Sequence, residues 1–92
     1  METKKKTALV TGSGQNIGRA CVVALASEGI DVIINGSKDT VACEETAQLA
    51  RDIGIRAEIA MGDVGTEDFS RCIVRKLMPE YGSIDILINN AA

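Results

Sequence analysis

The chain has 92 residues, 46% of them apolar and 25% charged, with a net charge of −3. That length holds one domain at most, since domains run on the order of 100–200 residues. With only Phe69 and Tyr81 as aromatics, no His and no basic excess, the chain is neither a stacking platform for single-stranded nucleic acid nor a phosphate-backbone binder, and it has no His-based zinc site or triad.

From the N-terminus, a charged lead ending in Lys4-Lys5-Lys6 runs straight into an apolar strand pattern. It lacks the apolar core of a signal peptide, and no later run approaches the ~18 residues of a membrane span, so the chain reads as cytoplasmic. Residues 7–11 are the first predicted strand and residues 16–27 the first predicted helix, with Ile17, Ala20, Cys21, Ala24 and Leu25 as its apolar face. A second strand over 31–35 precedes a helix over 39–53 that places Ala42, Thr46, Leu49, Ala50 and Ile53 on one face, with Gly54 as its stop. A third strand over 57–61 leads to a helix over 67–78, carrying Phe69, Cys72, Ile73 and Leu77. Thr66 is its N-cap, and Pro79 and Gly82 end it. A fourth strand covers 84–89.

The strand runs are apolar almost throughout rather than alternating, which suits strands covered on both faces. The order βαβαβαβ, joined by right-handed crossovers, predicts an α/β fold, a doubly wound parallel sheet of strand order 3-2-1-4. The fourth strand would be an apolar edge, which proteins normally cover. The chain is therefore expected to be the first half of a longer protein. The three cysteines, Cys21, Cys43 and Cys72, are odd in number and widely spaced. They read as free thiols in a reducing compartment, with Cys21 in the core.

Between the first strand and helix lies Thr11-Gly12-Ser13-Gly14-Gln15-Asn16-Ile17-Gly18. Glycines let backbone N–H groups approach a phosphate without a Cβ in the way, and the unpaired N–H groups at a helix start favour an anion. A nucleotide is the expected ligand. The ATPase-type phosphate loop does not fit, because the fifth residues after Gly12 and Gly14 are Ile17 and Arg19.

The TGxxxxIG pattern resembles the TGxxxGIG loop of short-chain dehydrogenases/reductases. Three further stretches resemble that family in the same order: Asp63-Val64 after the third strand, Gly82-Ser83-Ile84-Asp85-Ile86-Leu87-Ile88, and Asn89-Asn90-Ala91-Ala92. The 3-oxoacyl-carrier-protein-reductase-like members are the most similar. The resemblance implies the N-terminal half of a Rossmann-type domain. It implies that Gly12, Ser13, Gly14, Gln15, Ile17 and Gly18 line the pyrophosphate and adenosine ribose. Asn16 stands within this loop in place of the family's middle glycine, which implies either the tolerance of Asn for left-handed φ or a different loop geometry. Asp63 would accept from the adenine amino group, with Val64 against the ring. Asn90 and Ala91 would contact the ribose side by backbone, while Asn89 ties strands together. Ala92 replaces the family's last glycine.

An acid at the end of the second strand selects NAD by bonding the ribose 2′-hydroxyl. Here that position is about Gly36, Asp31 lies at the wrong end of the strand, and Ser37 and Lys38 can donate to a 2′-phosphate. NADP is the expected cofactor, with NAD as the alternative; Gln15 stands where many NADP-dependent members carry Arg.

The resemblance also implies a Ser and a Tyr-x-x-x-Lys pair as proton donors. The one tyrosine, Tyr81, has Asp85 four residues on, so the pair is absent here and no catalytic residue is assigned. The expected function is the cofactor-binding segment of an oxidoreductase acting on a small-molecule ketone or alcohol, a homo-oligomer at full length. The alternatives are a short non-catalytic nucleotide-binding module and an inactive fragment.

Overall fold

Among the described residues the branched apolar runs form one parallel sheet of four strands: β1 (Thr7–Val10), β2 (Asp31–Gly36), β3 (Ala57–Met61) and β4 (Ile86–Ile88). The structure is a computed structural model that describes residues 6–14, 16–63 and 65–90. The order across the sheet is β3-β2-β1-β4, as the connectivity predicts, with Leu9 opposite both Ile33 and Leu87 and Ile34 opposite Ile59. Alternation survives inside the continuous apolar runs, because successive side chains point to opposite faces. Val10, Val32 and Ile34 meet α1 (Asn16–Ser27) and α2 (Thr40–Ile53) on one face. Leu9 and Ile33 meet Phe69, Ile73, Leu77 and Tyr81 on the other.

Helix limits follow the local signals. Asp39 caps α2 by accepting the Ala42 N–H at 2.9 Å, and Gly54 closes it at φ 112°. Helix rotation does not follow the apolar count. In α1 the buried residues are Gly18, Val22 and Ala26, whereas Ile17 is 71% exposed and Ala20 and Ala24 also face outward. The cause is tertiary: Gly18 is pressed beneath the preceding loop, which brings the residues four and eight positions on to the sheet. Cys21 and Leu25 are half-buried beside that core. In α2 the small residues Cys43, Ala47 and Ala50 turn inward with Ala42 and Thr46, letting the helix approach closely. Leu49 and Ile53, expected inside, are left on the exposed flank.

The third helical segment is not one helix. It runs as α3 (Glu67–Cys72), a widened π turn over Ile73–Leu77, and α4 (Met78–Tyr81). Pro79 sits in the first turn of α4 and does not terminate the segment. A proline has no N–H and its ring crowds the carbonyl four residues back, and a wider turn relieves both. Thr66 Oγ1 accepts the Phe69 N–H at 3.2 Å, and Gly82 ends α4 with its N–H on Met78 O at 2.7 Å. β4 is shorter than expected and forms an edge, its central Leu87 64% exposed.

The amino ends of the strands are closed by charge. Asp31 is fully buried and accepts from the Arg56 N–H at 2.9 Å and Nε at 3.0 Å. The same guanidinium lies over the Tyr81 ring, 4.3 Å from its centroid. Tyr81 is thus a buried packing residue on the side of the sheet away from the glycine loop's helix.

Candidate functional site

All four strands are parallel, so their carboxyl ends share one edge. The chain steps outward from β1 to β2 and β3, then returns to place β4 on the other side of β1. Ligands of open α/β sheets bind where neighbouring connections diverge in this way, and here the loop leaving β1 sits at that point.

The loop is held by its neighbours rather than by its own turns. Gly12 has φ 60° and Asn16 φ 55°, the left-handed conformation that Gly accepts freely and Asn better than most residues. The Gly12 N–H donates to Asn35 Oδ1 at 3.2 Å. The Ser13 N–H donates to Asn35 O at 2.8 Å, and its hydroxyl donates to Val10 O at 2.7 Å while accepting the Asn35 N–H at 2.9 Å. Ser13 is fully buried, so its side chain is committed to β1 and β2. A Cβ on Gly18 would lie 2.3 Å from Gly12 O and 2.8 Å from Ser13 Cα. Only glycine lets α1 seat so close under the loop.

On the β4 side, the Asn90 N–H donates to Thr11 Oγ1 at 2.8 Å and its Nδ2 to Gly12 O at 3.1 Å. Thr11 Oγ1 donates to Asn89 Oδ1 at 3.2 Å, so Asn89 does link neighbouring strands. On the α2 side, Arg19 and Thr46 converge on one carbonyl: Arg19 Nη2 reaches Gly14 O at 2.7 Å and Ala42 O at 3.0 Å, and Thr46 Oγ1 reaches Gly14 O at 3.0 Å. The bracing roles of Asn35, Arg19 and Thr46 escaped sequence reasoning, although the helical spacing places Thr46 on the inward face of its helix. An Asn at a strand end and an Arg inside a helix carry no local signature of a brace.

A cavity of about 240 Å³ opens among three groups of residues: the loop glycines Gly12 and Gly14, the β2 end at Gly36, Ser37 and Lys38, and the start of α2 at Asp39, Ala42 and Cys43. It is smaller than the ~300–1,000 Å³ of pockets that enclose a whole drug-sized ligand, and suits one part of an extended molecule. The structure thus brings Gly12, Gly14, Ser37 and Lys38 together. Asp63 lies apart at the end of β3, exposed, its Oδ1 accepting the Gly65 N–H at 2.9 Å. Ile17 faces outward from α1, and Gln15, Val64 and Ala91 lie outside the described residues.

Cys43 forms the floor, with its thiol 2.5 Å from where a Cβ on Gly36 would stand and 3.3 Å from where one on Gly14 would. Burial raises its pKa above the ordinary 9.0, Asp39 and Glu44 raise it further, and Arg19 opposes them. The thiol is therefore protonated at neutral pH and is a neutral, poorly nucleophilic wall. Among the described residues, no group of His, Cys, Asp and Glu could hold a metal ion, and no helix is long and apolar enough to cross a membrane.

Known proteins align with nearly the whole chain. The family described as short chain dehydrogenase matches residues 6–92. General stress protein 39 of Bacillus subtilis is 42% identical over 88 residues, which is 96% of this chain and 31% of that protein. The 3-oxoacyl-acyl-carrier-protein reductase FabG of Staphylococcus epidermidis is 38% identical over 91 residues, 94% of this chain and 35% of that one. The crystal structure of acetoin dehydrogenase YohF from Salmonella typhimurium superposes with a TM-score of 0.82 at 35% identity, over 96% of this chain and 36% of that one. The chain spans about a third of the length of these three relatives.

Proposed function

The chain belongs to the short-chain dehydrogenase family, and on that premise we propose that it is the NADP-binding N-terminal part of a single Rossmann-type domain, within an oxidoreductase acting on a small ketone or alcohol. One observation carries the choice of nucleotide: β2 ends on Gly36, followed by Ser37 and Lys38, in the cavity beside the glycine loop, and the acid in the lining, Asp39, is engaged in capping α2 through its Oδ1. An acid at the β2 end would bond a ribose 2′-hydroxyl and repel a 2′-phosphate. The hydroxyl and ammonium of Ser37 and Lys38 favour the phosphate.

The cradle fits a dinucleotide. Its walls at Gly12, Gly14 and Gly36 are bare backbone, which permits the close approach a diphosphate and ribose require. Gly12, Gly14, Gln15, Asn16, Ile17 and Gly18 would hold the pyrophosphate and ribose, and Ser13 would act only through the loop shape that its buried hydroxyl maintains. Asp63 and Val64 would meet the adenine, Asn90 and Ala91 the ribose side, and Ser37 and Lys38 the 2′-phosphate. When bound, the nicotinamide supplies the hydride exchanged with a keto or hydroxyl carbon. The residues of this chain bind and orient the adenosine half, and the proton donor of that exchange is not assigned to any of them. The free thiols of Cys21 and Cys43 fit a cytoplasmic protein.

Fluorescence titration of the chain with NADPH and NADH tests this reading. NADPH is expected to bind more tightly, and Gly12→Val to abolish binding because a branched Cβ would meet the phosphates. Equal NADPH affinity in Gly12→Val, or no binding of either nucleotide to the unsubstituted chain, would refute it.

A further inference from the structure

Two residues that are remote in sequence compete for one volume at the floor of the cavity. Gly36 ends β2, and Cys43 stands in the first turns of α2. A Cβ at position 36 would lie 2.5 Å from Cys43 Sγ, far inside van der Waals contact. The thiol has little room to withdraw. It is 1% exposed and packs in the core with Val10, Ile34 and Ala47, and a Cβ on Gly14 would already approach it to 3.3 Å. Position 36 is also about where a carboxylate that selects an unphosphorylated ribose would stand.

From this we infer that Cys43 is a specificity-determining residue: its thiol holds position 36 to glycine and thereby keeps an acid from the end of β2. The inference rests on the proposed binding of NADP at this cavity. Preference for the 2′-phosphorylated nucleotide is then a property of a strand–helix pair, and it cannot be inverted at β2 alone. Met61 adds to the enclosure, its Cε 3.6 Å from the same Cβ position. Its unbranched, flexible chain can give way, whereas the short thiol moves only by turning about χ1 inside the packed core.

Two linked measurements on the chain test the coupling. The first is a stability cycle that needs no nucleotide: Gly36→Ala, Cys43→Ala and the double variant, unfolded in urea. Gly36→Ala should lower the midpoint clearly, and should lower it much less when Cys43 is already Ala. Equal shifts in both backgrounds would overturn the proposal. The second compares Gly36→Asp with Gly36→Asp/Cys43→Ala by titration with NADPH and NADH. Gly36→Asp alone should weaken both nucleotides. The double variant should regain NADH and shift the NADPH-to-NADH affinity ratio toward NADH by about tenfold or more, the scale of a like-charge juxtaposition. Full inversion by Gly36→Asp alone would overturn the role of Cys43. A clear stability coupling with no nucleotide bound by any variant would instead overturn the functional reading, and with it the specificity role.

Discussion

Asn35 Oδ1 accepts the Gly12 N–H at 3.2 Å, while the same side chain donates through Nδ2 to the carbonyls of Ala60 and Gly62 at 3.0 and 3.1 Å. One amide, 2% exposed, thus fixes the glycine loop after β1 to the carboxyl ends of β2 and β3. Removing it leaves buried polar partners unpaired. Asn35→Ala should cost about 2–3 kcal/mol in urea unfolding and weaken NADPH by loosening the loop. Unchanged NADPH affinity at reduced stability would restrict Asn35 to the fold.

Gly18 and Gly29 separate close packing from backbone strain. A Cβ on Gly18 would meet the Gly12 carbonyl at 2.3 Å, whereas one on Gly29 would meet nothing within 4 Å although Gly29 has φ +82°. Gly29→Ala should cost about 1 kcal/mol, the strain of a left-handed residue. Gly18→Ala should cost more, about 2–3 kcal/mol, because backbone must move, and it should also weaken nucleotide binding. Comparable urea midpoints for the two variants would contradict the packing seen beneath the loop.

The loop, the strand order and most helix limits were legible because each rests on local pattern: branched runs for strands, Asp39 and Gly54 at the ends of α2, glycines between β1 and α1. Asn16 was also legible, since a left-handed φ is one of the two outcomes that its replacement of a glycine implies. The rotation of α1 was not, because the contact that sets it joins Gly18 to a loop folded back above it. Leu49 and Ile53 misled for a related reason: apolar spacing gives a face, but the small side chains of Cys43, Ala47 and Ala50 decided which face could approach the sheet. Pro79 read as a stop because a widened turn that accommodates a proline has no sequence mark. The floor at Cys43 was illegible until β2 and α2 were placed side by side.

Lys38 lines the cavity from the exposed end of β2. Lys38→Ala should weaken NADPH more than NADH, since only the former offers a 2′-phosphate. The difference should shrink as salt rises, because exposed charges are screened beyond ~10 Å at 0.1 M. Titration at two salt concentrations checks both points. Equal weakening of the two nucleotides would leave Lys38 a solvated surface residue.

Arg56 supports the opposite end of the sheet. Its Nε holds the fully buried Asp31 at 3.0 Å, and its guanidinium covers Tyr81. Arg56→Ala keeps the backbone N–H bond to Asp31 but removes the guanidinium from its side. The half-exposed guanidinium moderates the loss to about 2–3 kcal/mol, below that of a wholly buried pair. Nucleotide affinity should not change, because the pair sits at the amino ends of the strands. A loss of NADPH binding in a variant that remains folded would contradict that separation.

Cys43 makes the base side of the stability profile testable. Burial, then Asp39 and Glu44, hold its pKa above the ordinary 9.0 in the folded chain, against the opposing pull of Arg19. Below pH 9.0 the thiol is protonated in both folded and unfolded states and contributes no slope. Above it the unfolded thiol ionises while the folded one stays neutral, so the unfolded state binds fewer protons and stability falls as pH rises. The informative quantity is a difference between variants. Urea midpoints of the chain and of Cys43→Ala, measured from neutral pH to well above pH 9.0, should converge as pH rises, because the substitution removes the part of the decline that belongs to Cys43. Alkylation by iodoacetamide gives an independent reading: Cys43 should react far more slowly than an unfolded thiol near pH 8. Parallel midpoint curves together with rapid alkylation would mean that the thiol is neither buried nor neutral, and the floor of the cavity would have to be drawn elsewhere.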